Sequence, residues 1–459
     1  MALGTTKGHL SWFGIVRLGL VQTALGAIVV LSTSTVNRLM IVELALPALV
    51  PGLLVTWHYA LQILRPRWGH GSDVGGRRSP WILGGMAVLA LGGFCAAFSV
   101  PVMASSHLIG LGLAAIAFTL IGAGVGAGGT TLLVLLAESV PRERRAAAAT
   151  IVWIMMIAGF VITAGIIGHT LAPYSPDRLV MVAAIVCAGA FALALVAVTG
   201  LEKTLSRSQN AERALMDEAS STHDKQAFKA ALKEVWQDDS ARHFAIFVFV
   251  SMLAYSAQEL VLEPFAALVF GMPPNETALI AGAQHGGALA GMILVGVFAT
   301  FWSRSKLSAL RNWIVAGCLG SALAVIGLVA AARIGVGFPL RPMVFALGFA
   351  NGIYAVAAIG SMFTLAESAG RAREGIRMGL FGAAQGVAFG IGGMGGSSLS
   401  DAMRYLTGAP DLAYGLVFTA EAVLFIISAG LALSIGRRGV SQTASPAFSI
   451  SHKAGVHGG

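Results

Sequence analysis

Charge is scarce in this chain. Only 11% of its 459 residues are Asp, Glu, Lys or Arg, and 56% are hydrophobic, whereas a soluble domain carries about a quarter charged residues. The deficit excludes an ordinary soluble globular protein. Cysteine is scarcer still: Cys95, Cys187 and Cys318 lie far apart, each inside an apolar stretch, which leaves neither a disulfide framework nor metal-ligand spacing. Strand-like alternation is missing, which excludes a β-barrel. The chain also lacks a phosphate-cradling loop, a nucleophile elbow and a His-Glu metal helix, and its glycine-rich run at 122–129 sits inside an apolar span that no nucleotide reaches. An enzyme is therefore the least expected class. No small-residue cleavage site closes the first residues, so a cleaved signal peptide is not expected.

Present instead are twelve apolar runs, at roughly 16–36, 44–64, 81–101, 107–136, 146–171, 179–200, 244–270, 277–301, 312–332, 342–365, 378–399 and 412–435. Runs of about 20 apolar residues are long enough to cross a hydrocarbon core of about 30 Å as helices. The expectation is an all-α polytopic membrane protein, with a six-helix bundle over 1–200, a polar linker over 201–243, a second bundle over 244–436 and a disordered tail over 437–459. With both termini on one side, 25 of the 30 basic residues fall on that side, which places the termini in the cytoplasm. The net charge of +9 is spread in short clusters between runs rather than along one face, so nucleic acid is not an expected partner. In the linker, Phe228, Leu232, Val235 and Trp236 fall at helical spacing beside Lys225, Lys229 and Lys233. Two readings are open there: an interfacial helix on the membrane lipid, or a solvated helix packed on the bundle ends.

One stretch occurs twice. Leu136-Ala137-Glu138-Ser139 with Arg142 and Arg144 reappears as Leu365-Ala366-Glu367-Ser368 with Arg371 and Arg373, at an offset of 229 residues and at the same kind of boundary between runs. Two homologous halves follow. A carboxylate at a helix C-terminus is opposed by the helix dipole, so Glu138 is expected to pair with Arg77, Arg78 or Arg142, and Glu367 with Arg311, Arg371 or Arg373, as cytoplasmic latches. Between spans two and three, Gly69, Asp73, Gly76, Arg77 and Arg78 match the G-x-x-x-D-[RK]-x-G-[RK]-[RK] loop of the major facilitator superfamily, with Val74 where a base is usual. The glycines permit a tight turn there, and Asp73 can cap a neighbouring helix N-terminus.

Polar groups inside spans are expensive and mark candidate sites. Tyr255, Glu259 and Glu263 share one face of span seven, just before Pro264. Gln284 and His285 are in span eight, His58 in span two, Arg17 and Gln22 at the start of span one, Asn351 and Tyr354 in span ten, and Glu421 in span twelve. For each, a satisfied structural role is the ordinary reading and ligand contact the alternative. The same applies to glycines at helical spacing: Gly122 and Gly126, Gly282 and Gly286, Gly287 and Gly291, and Gly382, Gly386 and Gly390 serve close packing or a flat ligand.

Several segments together resemble the PucC/LhaA family of photosynthetic bacteria. They are residues 17–22, the Asn-Arg-x-Met-x-x-Glu-Leu segment from Asn37 to Leu44, residues 72–81, and the Gln-Glu-x-x-x-Glu-Pro segment from Gln258 to Pro264, with the likeness running over roughly 15–435. The length and N-terminal region lean to the PucC side of the family, serving the peripheral antenna, over LhaA, serving the core antenna. The resemblance implies the major facilitator fold and a role as an assembly factor for light-harvesting complexes. It implies bacteriochlorophyll a as cargo, and the light-harvesting α and β polypeptides as partners. An axial ligand for the pigment's magnesium would then come from His58, His285 or a bridging water. The alternative is a proton-coupled secondary transporter of a neutral or lipophilic solute, working through Glu259 or Glu263.

Overall fold

The computed structural model describes residues 10–64, 78–201, 236–301, 307–367 and 371–434, and these are entirely helical apart from short connections. The helices are α1 (Trp12–Val42), α2 (Leu49–Ala60, continued by a 3-10 turn to Leu64), α3 (Ser79–Ser105), α4 (His107–Ser139), α5 (Arg142–Thr170) and α6 (Pro176–Val198). They continue as α7 (Asp239–Phe270), α8 (Pro274–Phe301), α9 (Leu307–Ile334), α10 (Leu340–Glu367), α11 (Arg371–Thr407) and α12 (Pro410–Ser434). Ten of these segments are long and apolar enough to cross a membrane. The two that fall short are α2, whose described residues stop at Leu64, and α11. Hydropathy suggests only 378–399 for α11, because Arg371, Arg373, Arg377, Asp401 and Arg404 lie at its two ends, yet the helix runs well past the apolar part on both sides.

Each half has its own core. In the first, α1 packs on α5 and α6, and α3 on α4 and α6; in the second, α7 packs on α11 and α12, and α9 on α10 and α12. The halves join through α5 against α8 and α2 against α11, which are the same interface with the halves exchanged. The offset of 229 is visible in the contacts themselves. Phe160 of α5 meets His285 of α8 edge to face, with centroids 4.8 Å apart. At the equivalent place Phe389 of α11 lies beside Gly390, whose carbonyl accepts a 3.0 Å hydrogen bond from Thr56 of α2. Thr56 and His285 are equivalent positions, and so are Phe160 and Phe389. A third apolar cluster straddles the halves, with Val30, Ile157 and Phe160 against Ala288, Met292, Val295 and Ile353.

Lipid is as apolar as the side chains, so helix association depends on close packing. A Cβ on Gly287 or Gly291 would overlap the carbonyl oxygens of Phe345 or Phe349, and one on Gly348 or Gly352 those of Gln284 or Ala288, so α8 and α10 cross backbone to backbone. Gly85 and Gly124 do the same for α3 and α4. By contrast Gly286, Gly382 and Gly386 have nothing within 4 Å of a would-be Cβ.

The two copies of the repeated stretch end α4 and α10, directly before α5 and α11. Their expected pairings, through the side chains of Glu138, Arg142, Glu367, Arg371 and Arg373, lie outside the described residues, as do the loop residues Gly69, Asp73, Gly76 and Arg77 and most of the linker helix. What is described at this end of the bundle is a set of other ties. The Leu10 N–H donates to the Ser139 carbonyl at 2.9 Å, and the Arg144 guanidinium lies 5.5 Å over the Trp12 ring. Arg78 is buried where α3 begins.

Candidate functional site

Helix α1 carries four consecutive hydroxyl residues, Ser32 to Thr35, inside a π-helical turn at Leu31–Val36. Ser32 and Thr33 bond back to the carbonyls of Ile28 and Val29, a pattern that loosens a helix. The turn brings Ser34 against α7, where its hydroxyl donates to Glu263. Ser34 and Glu263 are themselves separated by 229 residues, so two equivalent positions of the duplicated halves touch one another. That geometry belongs to a pair lying beside the axis that relates the halves.

The next contact follows from one residue type. Pro264 has no backbone N–H, so the carbonyl four residues earlier in α7, that of Leu260, loses its helical partner. Asn37 of α1 supplies a replacement, its Nδ2 donating to the Leu260 oxygen at 3.0 Å. One residue further, Arg38 is 2% exposed, bonds Glu43 Oε1 at 2.5 Å and donates to the Met272 carbonyl at 3.1 Å just beyond α7. Tyr174, in the α5–α6 connection, sits in the same electrostatic neighbourhood: burial pushes its hydroxyl above the usual range, Glu43 adds to the rise and Arg38 opposes it. Across the bundle, the Leu49 N–H opening α2 donates to Asp401 of α11 at 2.8 Å. All these ties lie at the end of the bundle opposite the repeated stretches.

Deeper in α7, Tyr255 and Glu259 are half-buried. Tyr255 belongs to an aromatic chain that crosses between halves, with its ring 5.8 Å from Phe389 and Phe389 5.3 Å from Tyr59. Glu259 accepts no hydrogen bond and meets no cation among the described residues. Beside it, Gln258 is fully buried with both amide atoms unpartnered. His58 is buried next to Tyr59, with its Nδ1 2.9 Å from the Val55 carbonyl. A carbonyl oxygen can only accept, so that contact puts a proton on Nδ1. His285 and Gln284 are buried in α8, the His285 Nδ1 and Gln284 Nε2 without partners.

Two candidates go elsewhere. Arg17 donates through Nε to the Ala197 carbonyl at 2.9 Å and through Nη2 to Thr199 at 2.5 Å, so its charge closes the C-terminus of α6. Asn351 accepts a 2.7 Å hydrogen bond from Ser321 on α9, which holds it between α9 and α10. We expect Arg17→Ala to lower the thermal midpoint of the purified protein. The loss is a charge-assisted bond at a half-exposed site, ~1 kcal/mol after screening, with Arg17→Lys recovering part of it and function at permissive temperature unchanged.

Residues that sequence reasoning did not single out also matter. Arg377, buried in α11, donates to the Leu365 carbonyl of the second repeated stretch at 2.6 Å and pairs with Asp238, which caps α7. Arg377 is visible in the sequence as a third arginine at the start of α11, but its target is not. On the outside of the first half, α3 and α4 leave an open apolar groove of about 480 Å³ lined by Pro80, Trp81, Gly84, Gly85, Val88, Ala123 and Ala127.

The architecture defines the class. The chain superposes on a bacterial homologue of the human lysosomal transporter Spinster, captured inward-facing and unoccupied, with a TM-score of 0.64 at 17% identity, covering 95% of this chain and 98% of that one. It superposes on the nucleoside transporter NupG with a TM-score of 0.65 at 11% identity, over 92% and 100%. This is a multi-pass membrane protein of the major facilitator fold. The family model described as PUCC protein matches residues 35–440, and the chain belongs to that family. Among its relatives, the bacteriochlorophyll synthase 44.5 kDa chain of Rhodobacter capsulatus is 49% identical, over 93% of this chain and 96% of that protein. Protein PucC of Cereibacter sphaeroides is 27% identical over 89% and 88%.

Proposed function

We propose that this protein is an integral-membrane assembly factor for bacterial light-harvesting complexes, which holds or hands over bacteriochlorophyll while the antenna polypeptides assemble, and that it performs no covalent chemistry. The observation that carries the reading is family membership across 35–440, which takes in both halves. Two features suit an apolar, flat cargo. The α3–α4 groove offers an aromatic ring and small residues with a mostly apolar surface. In the interior, Glu259 beside Tyr255, unpartnered among the described residues, is a group that a ligand's donor would satisfy.

Two other readings have a specific basis. The transporter fold favours a secondary transporter, and the name of the 49% identical relative raises a step in pigment synthesis. Deleting the gene separates the three. Assembly predicts loss of the near-infrared antenna bands while extractable bacteriochlorophyll continues to be made. Loss of total pigment with accumulation of a precursor would favour synthesis. Intact antenna bands with a solute phenotype would overturn the proposal in favour of transport.

A further inference from the structure

Glu263 has no counter-charge of its own. Its side chain is 2% exposed, its Oε2 has no hydrogen-bond partner, and among the described residues no cation bonds it. The cation whose charge reaches it, Arg38, is turned to Glu43 and to the Met272 carbonyl. Glu263, Arg38 and Glu43 together carry one negative charge, a costly arrangement in a buried place unless another positive charge joins them.

The groups around Glu263 offer it lone pairs more than protons. Ser34 has a single hydroxyl proton and gives it to Oε1. Thr277 of α8 adjoins the same carboxyl, but its hydroxyl donates to the Pro274 carbonyl at 3.1 Å, so it meets the carboxyl as an acceptor. Asn37 gives Nδ2 to the Leu260 carbonyl, which can only accept, and this leaves Oδ1 buried without a partner. Carboxylate, hydroxyl and amide oxygens thus gather where α1, α7 and α8 meet. Both long helices are irregular there, α1 through its π turn and α7 through Pro264. Interrupted helices whose freed oxygens converge are how membrane proteins build cation sites at depth.

We propose that Glu263, Ser34, Asn37 and Thr277 form a binding site for a monovalent cation, sodium, at the junction of α1, α7 and α8. Charge selects the valence, since one net negative charge is matched by one positive. Calcium calls for about six to eight oxygen ligands, whereas this site has one carboxylate and the neutral oxygens of Ser34, Asn37 and Thr277. No group of three His, Cys, Asp or Glu side chains that could hold a transition metal occurs among the described residues. The duplication also makes the site single. Position 34 is the first-half equivalent of 263 and carries a hydroxyl where the second half carries an acid.

The test is the thermal midpoint of the full-length protein in detergent, at one pH and one ionic strength, with sodium chloride exchanged for potassium or choline chloride. A ligand that binds only the folded state raises the midpoint with its concentration. Sodium is expected to raise it saturably, while potassium and choline do not. Glu263→Gln should abolish the response. Thr277→Val keeps the shape and removes one oxygen, so the sodium concentration at half-effect should rise by about tenfold or more, as one contact to a charge is lost. If Glu263→Gln does not fold, Thr277→Val decides. A midpoint indifferent to sodium, a full response retained in Glu263→Gln, or an unchanged half-effect concentration in Thr277→Val would overturn the site. A midpoint that follows pH through Glu263 and ignores sodium would overturn it too, assigning the carboxyl to a proton. None of these measurements involves antenna absorption, so the sodium site and the proposed function stand or fall separately.

Discussion

Gly348→Ala combined with Gly352→Ala is expected to give a protein that fails to accumulate in the membrane, or melts far below the parent. A methyl at either position meets a carbonyl oxygen of α8, at Gln284 or Ala288, and backbone has no rotamer by which to retreat. Overpacking in a tight core costs about 1–3 kcal/mol per site where side chains can adjust. Here the whole of α8 must translate against α10, and Gly287 and Gly291 push back from the other face, so the double variant should exceed that range. The measurement is the thermal midpoint of detergent-extracted protein by size-exclusion recovery. Gly382→Ala with Gly386→Ala is the matched contrast, because both sites open on empty space and packing predicts no loss of stability. A stable but inactive variant at Gly382 and Gly386 would mean that these two positions face a ligand, and a large loss of stability there would contradict the geometry.

The second large effect concerns α7. Glu259→Gln with Glu263→Gln keeps shape and hydrogen-bonding capacity while removing both carboxylates, so the fold should persist. The amide replacing the Glu263 carboxylate can still meet Ser34, whereas Glu259 stands unpartnered beside Tyr255. We expect assembly to fall by about tenfold or more, as a hydrogen bond to a charged group contributes ~1.5–3 kcal/mol. Antenna absorption normalised to membrane-inserted protein checks it. The single variants assign the effect: Glu259→Gln should carry most of it if the carboxylate meets cargo, and Glu263→Gln if the tie to Ser34 is what matters. Normal antenna in the double variant would assign both acids to structure.

Much of the fold was legible in the sequence alone. Hydropathy located the helices, and the duplicated Leu-Ala-Glu-Ser stretch announced two halves, since near-identical boundaries at one offset have few other causes. Helix ends were misjudged where the helix leaves the hydrocarbon, as in α11, because hydropathy reports the solvent a segment faces and not its hydrogen bonding. The site was less legible. Asn37 and Pro264 stood out in two segments that carried the family resemblance, but nothing in either predicts that one supplies what the other lacks. That relation exists only once residues 223 positions apart in the chain are neighbours. Arg17 and Asn351 illustrate the reverse case. A charge or amide inside an apolar run is conspicuous, but its partners at Ala197, Thr199 and Ser321 are ordinary backbone and hydroxyl oxygens that no spacing reveals.

The Leu260 carbonyl has a consequence for energetics and for water. With the halves together it is satisfied by Asn37; apart, it faces a medium in which an unpaired backbone oxygen costs several kcal/mol if that medium is hydrocarbon. Any parting of α1 from α7 would therefore go only as far as solvent follows, a water molecule taking the place of the Asn37 amide. Such a parting would be a wetting event at the depth of the proline, opposed by osmolytes that draw water from narrow spaces.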